Sequence, residues 1–395
     1  MNQKKLIGKD KENNKEDSAQ NSSNYKILTH CPYCNGSIVK RGTRKKKHEQ
    51  VQRYYCANCN KSFTSSITKH KTYPLKIIMD SLTLYNRLNP ADKIPPLIKE
   101  RYGIDVTSRT ISGWLKEYEQ YTPFLRMREF AIKKYDKKEF IEESKLFHQQ
   151  VYNFKYHRAK LDLILNEEFR HYRFKPLQEF LELVIAECPH QIFQNTTKRA
   201  SEFKNIFNLE QVKFVTRNNA AVKIANFVMQ AVSNNKLRHE ILQDFMLSND
   251  TVTIAAETPL IMNSDDIRHY KHELNYNVPI ELNDGEYITG HADFIQVRNG
   301  SIYLMDYKPS AEKEKPIDQL TLYALALSRL TGIRLYHMKC AWFDESNYYE
   351  FFPLHVVYKL KKNKRISKYQ QKLKMAERLW LRYESLFWYF AKSLF

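Results

Sequence analysis

The chain has 395 residues and carries 64 lysines and arginines against 44 acidic residues, a net charge of +20 that favours a polyanionic partner. That length accommodates two or three domains with sizeable cores, and its nine glycines build neither a phosphate loop nor a dinucleotide fingerprint, which argues against ATP-driven or Rossmann chemistry. No apolar run is long enough to span a bilayer, and four of the six cysteines sit in CxxC pairs, so the expectation is an intracellular, cytoplasmic protein with no membrane partner and no disulfides.

Residues 1–27 lack an apolar signal core and read as a disordered polar tail. Residues 28–68 then present Cys31-Pro-Tyr-Cys34 and Cys56-Ala-Asn-Cys59, two knuckles at zinc-ribbon spacing, with short β-type stretches at 37–40 and 52–55. Two thiolates from each knuckle close a tetrahedral structural Zn²⁺ site, and a redox dithiol or an iron site are the alternatives. The basic run 40–48, which includes Lys45, Lys46 and Lys47, is expected on the connecting loop, either as a solvated charge run or as a phosphate contact.

Residues 73–120 are predicted to form a helix-turn-helix. A first helix covers 75–88, with Ile77, Ile78, Leu82, Leu84 and Tyr85 as its apolar positions, and Asn89-Pro90 breaks it. A second helix covers 95–102 and stops at Gly103, which suits a left-handed turn residue. A third, capped by residues 106–108, runs over 109–118 with Ile111, Trp114 and Leu115 inward. That leaves Ser108, Arg109, Thr110 and Ser112 at the groove-facing end of a DNA-reading helix, or on the outside of an ordinary three-helix bundle. A zinc ribbon followed by SRTISGWL resembles the N-terminal DNA-binding region of some insertion-sequence transposases.

Residues 121–215 read as a helical connecting region. The alternating aromatics and lysines at 118–125, 130–135 and 140–154 fit the core faces of amphipathic helices or a stacking surface for nucleic acid. A domain over 216–360 follows, and its centre is 287–308, YITGHADFIQVRNGSIYLMDYK. Asn299-Gly300 favours a two-residue hairpin turn. The register this sets places Arg298 opposite Ser301, Asp293 opposite Asp306 and His291 opposite Lys308, the last two pairs sharing one face with Ile295, Val297, Ile302 and Leu304. Two carboxylates about 5 Å apart beside buried surface call for a cation, a shared proton or an arginine. A divalent metal with Lys308 beside it is the economical answer, and a solvated hairpin end with a chance Asp pair is the bland one.

Gly290-X-X-Asp293, then Asp306-Tyr307-Lys308, then Gln319-X-X-X-Tyr323 on a helix resembles the PD-(D/E)XK nuclease superfamily, and most closely its RecB-like exonuclease branch. The resemblance covers about the last third of the chain. It implies an α/β core in αβββαβ order within a multidomain α+β protein, with strands over 335–343 and 350–358. It also implies a Mg²⁺- or Mn²⁺-dependent deoxyribonuclease in a mobile-element, defence or recombination system, acting on DNA either as a targeted endonuclease or at DNA ends.

Asp293, Asp306 and the carbonyl of Tyr307 would hold the metal together with His239, which matches the branch's helical histidine although Asn234-Asn235 replaces its preceding glycine. Glu257 matches the glutamate at the end of the family's first strand, here 251–256, and takes a supporting role. Lys308 would orient the attacking water or stabilise the transition state. Gln319 and Tyr323, on one face of an apolar helix starting near Pro316, would orient that lysine or contact DNA. The four cysteines of the cluster-bearing branch members are not matched by Cys188 and Cys340 alone, so no iron–sulfur cluster is expected. A polar insertion is expected over 263–285. Residues 361–395 read as a basic helix with an aromatic stripe that packs on the nuclease domain or forms a dimer or partner interface. The competing reading from another class is a non-enzymatic DNA-binding regulator with a disused nuclease fold.

Overall fold

The computed structural model of the chain describes residues 30–64, 71–167, 171–195, 198–209, 212–232 and 234–358. The N-terminal tail and the segment 361–395, with its proposed aromatic interface, lie outside them.

Three antiparallel strands in the order β1 (Ile38–Lys45), β2 (Gln50–Cys56) and β3 (Lys61–Phe63) make the first sheet. Tyr54 and Phe63 pack with Cys31 and Cys56 in its small core. The basic run was expected on a loop, but most of it belongs to β1. Pairs Thr43–Gln52, Arg44–Val51 and Lys45–Gln50 extend the ladder, because the β-prone VQRYY segment supplies a full-length partner strand. Only the turn at 46–49 remains, closed by the Lys46–Glu49 ion pair at 2.9 Å. Lys45 and Lys47 stay exposed.

Helices α1 (Leu75–Asn86), α2 (Ile94–Tyr102) and α3 (Ser108–Glu117) follow as expected, within two residues at each end. Gly103 takes φ +66° at the end of α2, and the Thr107 hydroxyl accepts the Thr110 N–H at 3.2 Å to cap α3. Ile111 and Trp114 point inward, and Arg109 and Ser112 are exposed. His48 stacks on Tyr73, whose ring meets Trp114 edge-on, and this ties the first sheet to the helices.

After α4 (Leu125–Lys134) the connecting region departs from expectation. Residues 140–154 are not helical. They form β4 (Glu142–His148) and β5 (Gln150–Tyr156), joined at Gln149 with φ +53°. Leu146 with His148, and Phe154 with Tyr156, are buried two apart, a strand period that interleaved lysines disguise in the sequence. Helices α5 (Arg158–Glu167), α6 (Lys175–Glu187) and α7 (His190–Asn195), short strands β6 (Lys198–Arg199) and β7 (Val215–Thr216), and α8 (Ala220–Met229) lead to the central elements.

These central elements are α9 (Arg238–Asn249), β8 (Thr253–Asn263), α10 (Ser264–Arg268), β9 (Tyr287–Arg298), β10 (Ser301–Tyr307), α11 (Ile317–Thr331), β11 (Met338–Phe343), β12 (Tyr348–Phe351) and α12 (Pro353–Val357). The large sheet runs β4-β5-β8-β9-β10-β11-β12-β7, with β6 added beside β9. Within it α9-β8-β9-β10-α11-β11 has the expected αβββαβ order, with β10 and β11 parallel and β8, β9 and β10 antiparallel.

Three expected boundaries move. Strand β8 does not stop at Ala256 but continues through Glu257 to Asn263. The strand placed at 335–343 begins only at Met338, after a tight turn. Pro353 starts α12 where residues 350–358 were read as one strand, because proline suits a first helical position and not a sheet interior. The insertion 263–285 carries α10 and is anchored by buried Tyr270, Val278 and Ile280.

The two faces of the large sheet have separate cores. Ile295, Val297, Ile302 and Leu304 pack beneath α11 and α6. Phe294, Tyr303, Met305 and Tyr307 share the other core with α8, α9, α1 and α3. The three-helix unit is therefore not a bead on a linker. Asn86 Nδ2 donates to Asn249 Oδ1 at 2.8 Å, and Asn249 Nδ2 donates to Thr83 Oγ1 at 3.0 Å, both buried. The join between α9 and β8 is held by Lys160, fully buried on α5. Its Nζ donates to the Leu247 carbonyl at 2.5 Å and to Asp250 Oδ1 at 3.2 Å. Burial, only partly opposed by Asp250, brings its pKa down to about 8. Among the described residues no helix is long and apolar enough to cross a membrane.

Candidate functional site

The hairpin β9–β10 turns at Asn299 (φ +50°) and Gly300 (φ +69°), the conformation that an Asn-Gly pair accommodates at low cost. Its register starts at Arg298–Ser301 and ends at Phe294–Met305, one step short of Asp293 and Asp306, whose carboxylates are close enough for the charge of one to raise the pKa of the other. There the sheet forks. Beyond Phe294 the same edge of β9 is taken up by β6, at Thr289–Arg199 and Ile288–Lys198. Gly290, His291, Ala292 and Asp293 have no strand neighbour on that edge among the described residues. The gap is filled by side chains.

Tyr323 from α11 occupies the gap at Gly290. A β-carbon there would lie 2.3 Å from the tyrosine Cε1, so this glycine permits the close approach. Gln319 Nε2 donates to Tyr323 Oη at 3.0 Å, which explains why an otherwise apolar helix carries both polar residues. Asp293 Oδ2 accepts the Tyr307 N–H at 3.1 Å and lies 3.2 Å from His239 Nδ1. Lys308 Nζ lies 2.8 Å from Asp306 Oδ2, an ion pair without hydrogen-bond alignment.

Glu257, expected in a supporting role, joins the cluster from β8. On β8 it falls between the pairs Ala256–Phe294 and Thr258–Ala292, which sets it across from Asp293. Its backbone has φ +52°, a region that costs a residue with a β-carbon about 1 kcal/mol or more and that clusters at functional positions. Its carboxylate accepts from Gln243 Nε2 at 2.7 Å. Gln243 lies one helical turn after His239 on α9, and sequence reasoning missed it. The i, i+4 spacing of two polar residues on a mostly buried helix was the available signal.

Electrostatics follow from packing three carboxylates together. Burial, then the charge of Asp293, pushes Asp306 up to about 7 against the opposing pull of Lys308. The same two causes, in the same order, push Glu257 up to about 7. Burial also works to raise Asp293, but the hydrogen bond and charge of His239 outweigh it, so its pKa falls below the usual range. His239 is raised: burial opposes its charge, and the Asp293 contact more than offsets that. Lys308 is raised likewise, with burial outweighed by Asp306. Side-chain exposure grows from 2% at Asp306 and 14% at Asp293 to 23% at Lys308 and 40% at His239, so the cluster opens to solvent on the His239 side.

Sequence reasoning had also set His291 opposite Lys308, and this does not hold. With the β10 ladder ended, His291 stacks on Tyr152 of β5, with ring centroids 3.6 Å apart, and bonds to His148. At the other end of the chain the four knuckle cysteines converge. Cys31 and Cys59 sulfurs are 3.6 Å apart and Cys34 and Cys56 sulfurs 3.5 Å, all four within a metal-compatible cluster. Bonds of about 2.3 Å to one tetrahedral ion would give edges of about 3.8 Å. On α3, Thr110 is engaged with Thr107 and Ser108 is half-buried, which leaves Arg109 and Ser112 as its free polar tips.

No protein-family model, curated protein or solved structure matches this chain.

Proposed function

We propose that the chain is a metal-dependent deoxyribonuclease, brought to DNA by its cysteine ribbon and three-helix unit. The observation that carries this reading is Glu257, Asp293 and Asp306 gathered with Lys308 at a fork in a mixed sheet. Three carboxylates in one buried cluster repel each other, and the Lys308 ammonium, 2.8 Å from Asp306 Oδ2, offsets only part of that repulsion, since Asp306 and Glu257 are still pushed up to about 7. An oxygen-rich set with one imidazole suits Mg²⁺ or Mn²⁺. Asp293 and Asp306 would hold the ion, with Glu257 and His239 on its flanks.

When bound, the ion supplies Lewis-acid charge neutralisation and a more acidic water. The chain's own residues do the rest. Lys308 places an ammonium group at the solvent side of Asp306, where it would orient the attacking water or donate to an oxygen of the scissile phosphate. The Gln319–Tyr323 pair fills the gap at Gly290 and so supports the stretch of β9 that carries Asp293. Zn²⁺ in the cysteine cluster would fix the ribbon, and Lys45, Lys47, Arg109 and Ser112, on a chain of charge +20, would contact the DNA backbone and groove.

The test is incubation with Mg²⁺ or Mn²⁺ and closed-circular, linear duplex or single-stranded DNA, beside Asp306→Asn. Metal-dependent cutting lost in the variant is expected, and the preferred substrate separates an endonuclease from an end-processing enzyme. Tight binding to DNA with no cutting on any substrate would overturn this in favour of a DNA-binding regulator.

A pH dependence follows. Raised carboxylate pKa values mean that the folded, metal-free protein holds more protons than the unfolded chain between about pH 4 and 7. The stability contributed by Glu257 and Asp306 is then present at pH 4 and is lost as pH rises through about 7. Mn²⁺ should therefore raise the melting temperature more at pH 8 than at pH 5.5. Its apparent affinity should fall about tenfold or more per pH unit below 7 as protons compete. Calorimetric titration at four pH values reads this directly, and a flat profile would mean the ion binds elsewhere.

A further inference from the structure

Around the far side of His291 lies a second convergence of ligand-type side chains, independent of the carboxylate cluster. His148, at the end of β4, directs Nε2 to within 3.0 Å of His190 Nδ1 and 3.6 Å of Cys188 Sγ. Cys188 just follows α6 and His190 opens α7 two residues later, so one short chain segment and a distant strand bring three donor atoms to one place. All three lie within 4.8 Å of one another. We propose that His148 Nε2, Cys188 Sγ and His190 Nδ1 bind a zinc ion, with water in the fourth position.

The spacing fits. Bonds of about 2.0 Å to nitrogen and 2.3 Å to sulfur in a tetrahedral site put nitrogens about 3.3 Å apart and nitrogen about 3.5 Å from sulfur. A hydrogen bond between two imidazoles would need only the two rings, whereas here a thiol converges on the same nitrogen. Mixed imidazole and thiolate donors select zinc over magnesium or calcium.

The surroundings are built as a metal ligand requires. His148 Nδ1 lies 2.8 Å from His291 Nε2, so a proton on Nδ1 is donated to His291 and Nε2 keeps its lone pair for the ion. Phe193 stacks on His148 with centroids 4.1 Å apart, and Tyr152 stacks on His291, fixing both rings. Burial, with His190 adding to it, lowers His148 to about 4, which leaves it neutral and able to coordinate at neutral pH. Burial pushes the Cys188 thiol up to about 11, so zinc binding would release its proton to solvent.

The ion would pin β4 and the α6–α7 turn to His291, which belongs to the stretch of β9 without a strand neighbour on one edge and precedes Asp293 by two residues. Its role is to brace the fork from the side opposite β10. This assignment does not rest on nuclease activity.

The experiment is metal analysis by mass spectrometry of the full chain purified with zinc and passed through gel filtration. Two zinc ions per chain are expected in the wild type. One is expected in Cys188→Ser and in His190→Ala, the latter retaining the thiol, and one also in Cys59→Ser, which empties the ribbon instead. Cobalt substitution gives a second readout: the wild-type sulfur-to-cobalt charge-transfer band should carry five thiolate bonds, and His190→Ala should lose one ion's share of the visible spectrum. One zinc per chain in the wild type, or two retained in both Cys188→Ser and His190→Ala, would overturn the site and leave a hydrogen-bonded histidine chain.

Discussion

Lys308→Ala is expected to slow metal-dependent DNA cleavage by about a thousandfold while leaving the fold and Mn²⁺ binding intact. The lysine projects from the chain just after β10, where its backbone N–H donates to the Phe343 carbonyl at 3.0 Å, so the side chain can be removed without loosening the strand. Its ammonium group lies 2.8 Å from Asp306 and competes with any cation for that carboxylate. Removal acts in two directions. Asp306 loses a neighbour that lowers its pKa, so protons compete more strongly with the metal below pH 7, while above pH 7 the metal gains an uncontested oxygen. At pH 8, Mn²⁺ affinity should therefore be unchanged or tighter in the variant while the single-turnover rate collapses. Cutting at a near wild-type rate would remove Lys308 from the reaction. A parallel loss of Mn²⁺ binding would make it a structural member of the cluster.

Lys160→Ala should cost about 3–5 kcal/mol of folding stability, the usual penalty for stripping one partner from a buried ion pair. Both Lys160 and Asp250 are almost wholly withdrawn from water, at 0% and 6% side-chain exposure. The lysine also satisfies the Leu247 carbonyl at the end of α9, so its loss strands a charge and a backbone acceptor together. Asp250 Oδ1 additionally accepts the N–H groups of Val252 and Thr253 at 2.9 and 2.7 Å, and an asparagine could still serve both. The double variant Lys160→Met with Asp250→Asn should accordingly recover a large part of the loss. Urea unfolding reads both effects, and a loss below about 1 kcal/mol in Lys160→Ala would contradict a buried, paired lysine. Because α9 carries His239 and β8 carries Glu257, the weakened variant should also cut DNA poorly at temperatures where it remains folded.

Local signals were legible where chemistry and geometry coincide within a few residues. Asn299-Gly300 fixed a hairpin register that holds, because few other dipeptides tolerate two positive φ angles in succession. Gly103 and Thr107 marked the ends of α2 and α3 for equally local reasons. Partnerships across long separations were not legible. Strands β4 and β5 were hidden because their outer faces carry Glu143, Lys145, Asn153 and Lys155 among aromatics, which mimics a helical pattern. His148, Cys188 and His190 share no sequence spacing that announces a site, since their meeting depends on where β4 joins the sheet. The left-handed backbone of Glu257 has no sequence mark at all. His291 was misplaced because register was extended past the point where β9 changes neighbours.

The shared core between α1, α3 and the large sheet constrains how this protein, if it is the proposed nuclease, would measure distance along a duplex. A reader tethered by a flexible segment lets a cutter sample many phosphates around its binding site. Here Asn86 and Thr83 of α1 are locked to Asn249 at the end of α9, whose first turn bears His239. If α3 lies in a groove, the interval between the bases it reads and the bond that is broken is set by the length and tilt of one helix. The proposed nuclease would then behave as a rigid calliper, with insertions between its recognition sequence and its cleavage point abolishing cutting in steps that follow the helical repeat of DNA.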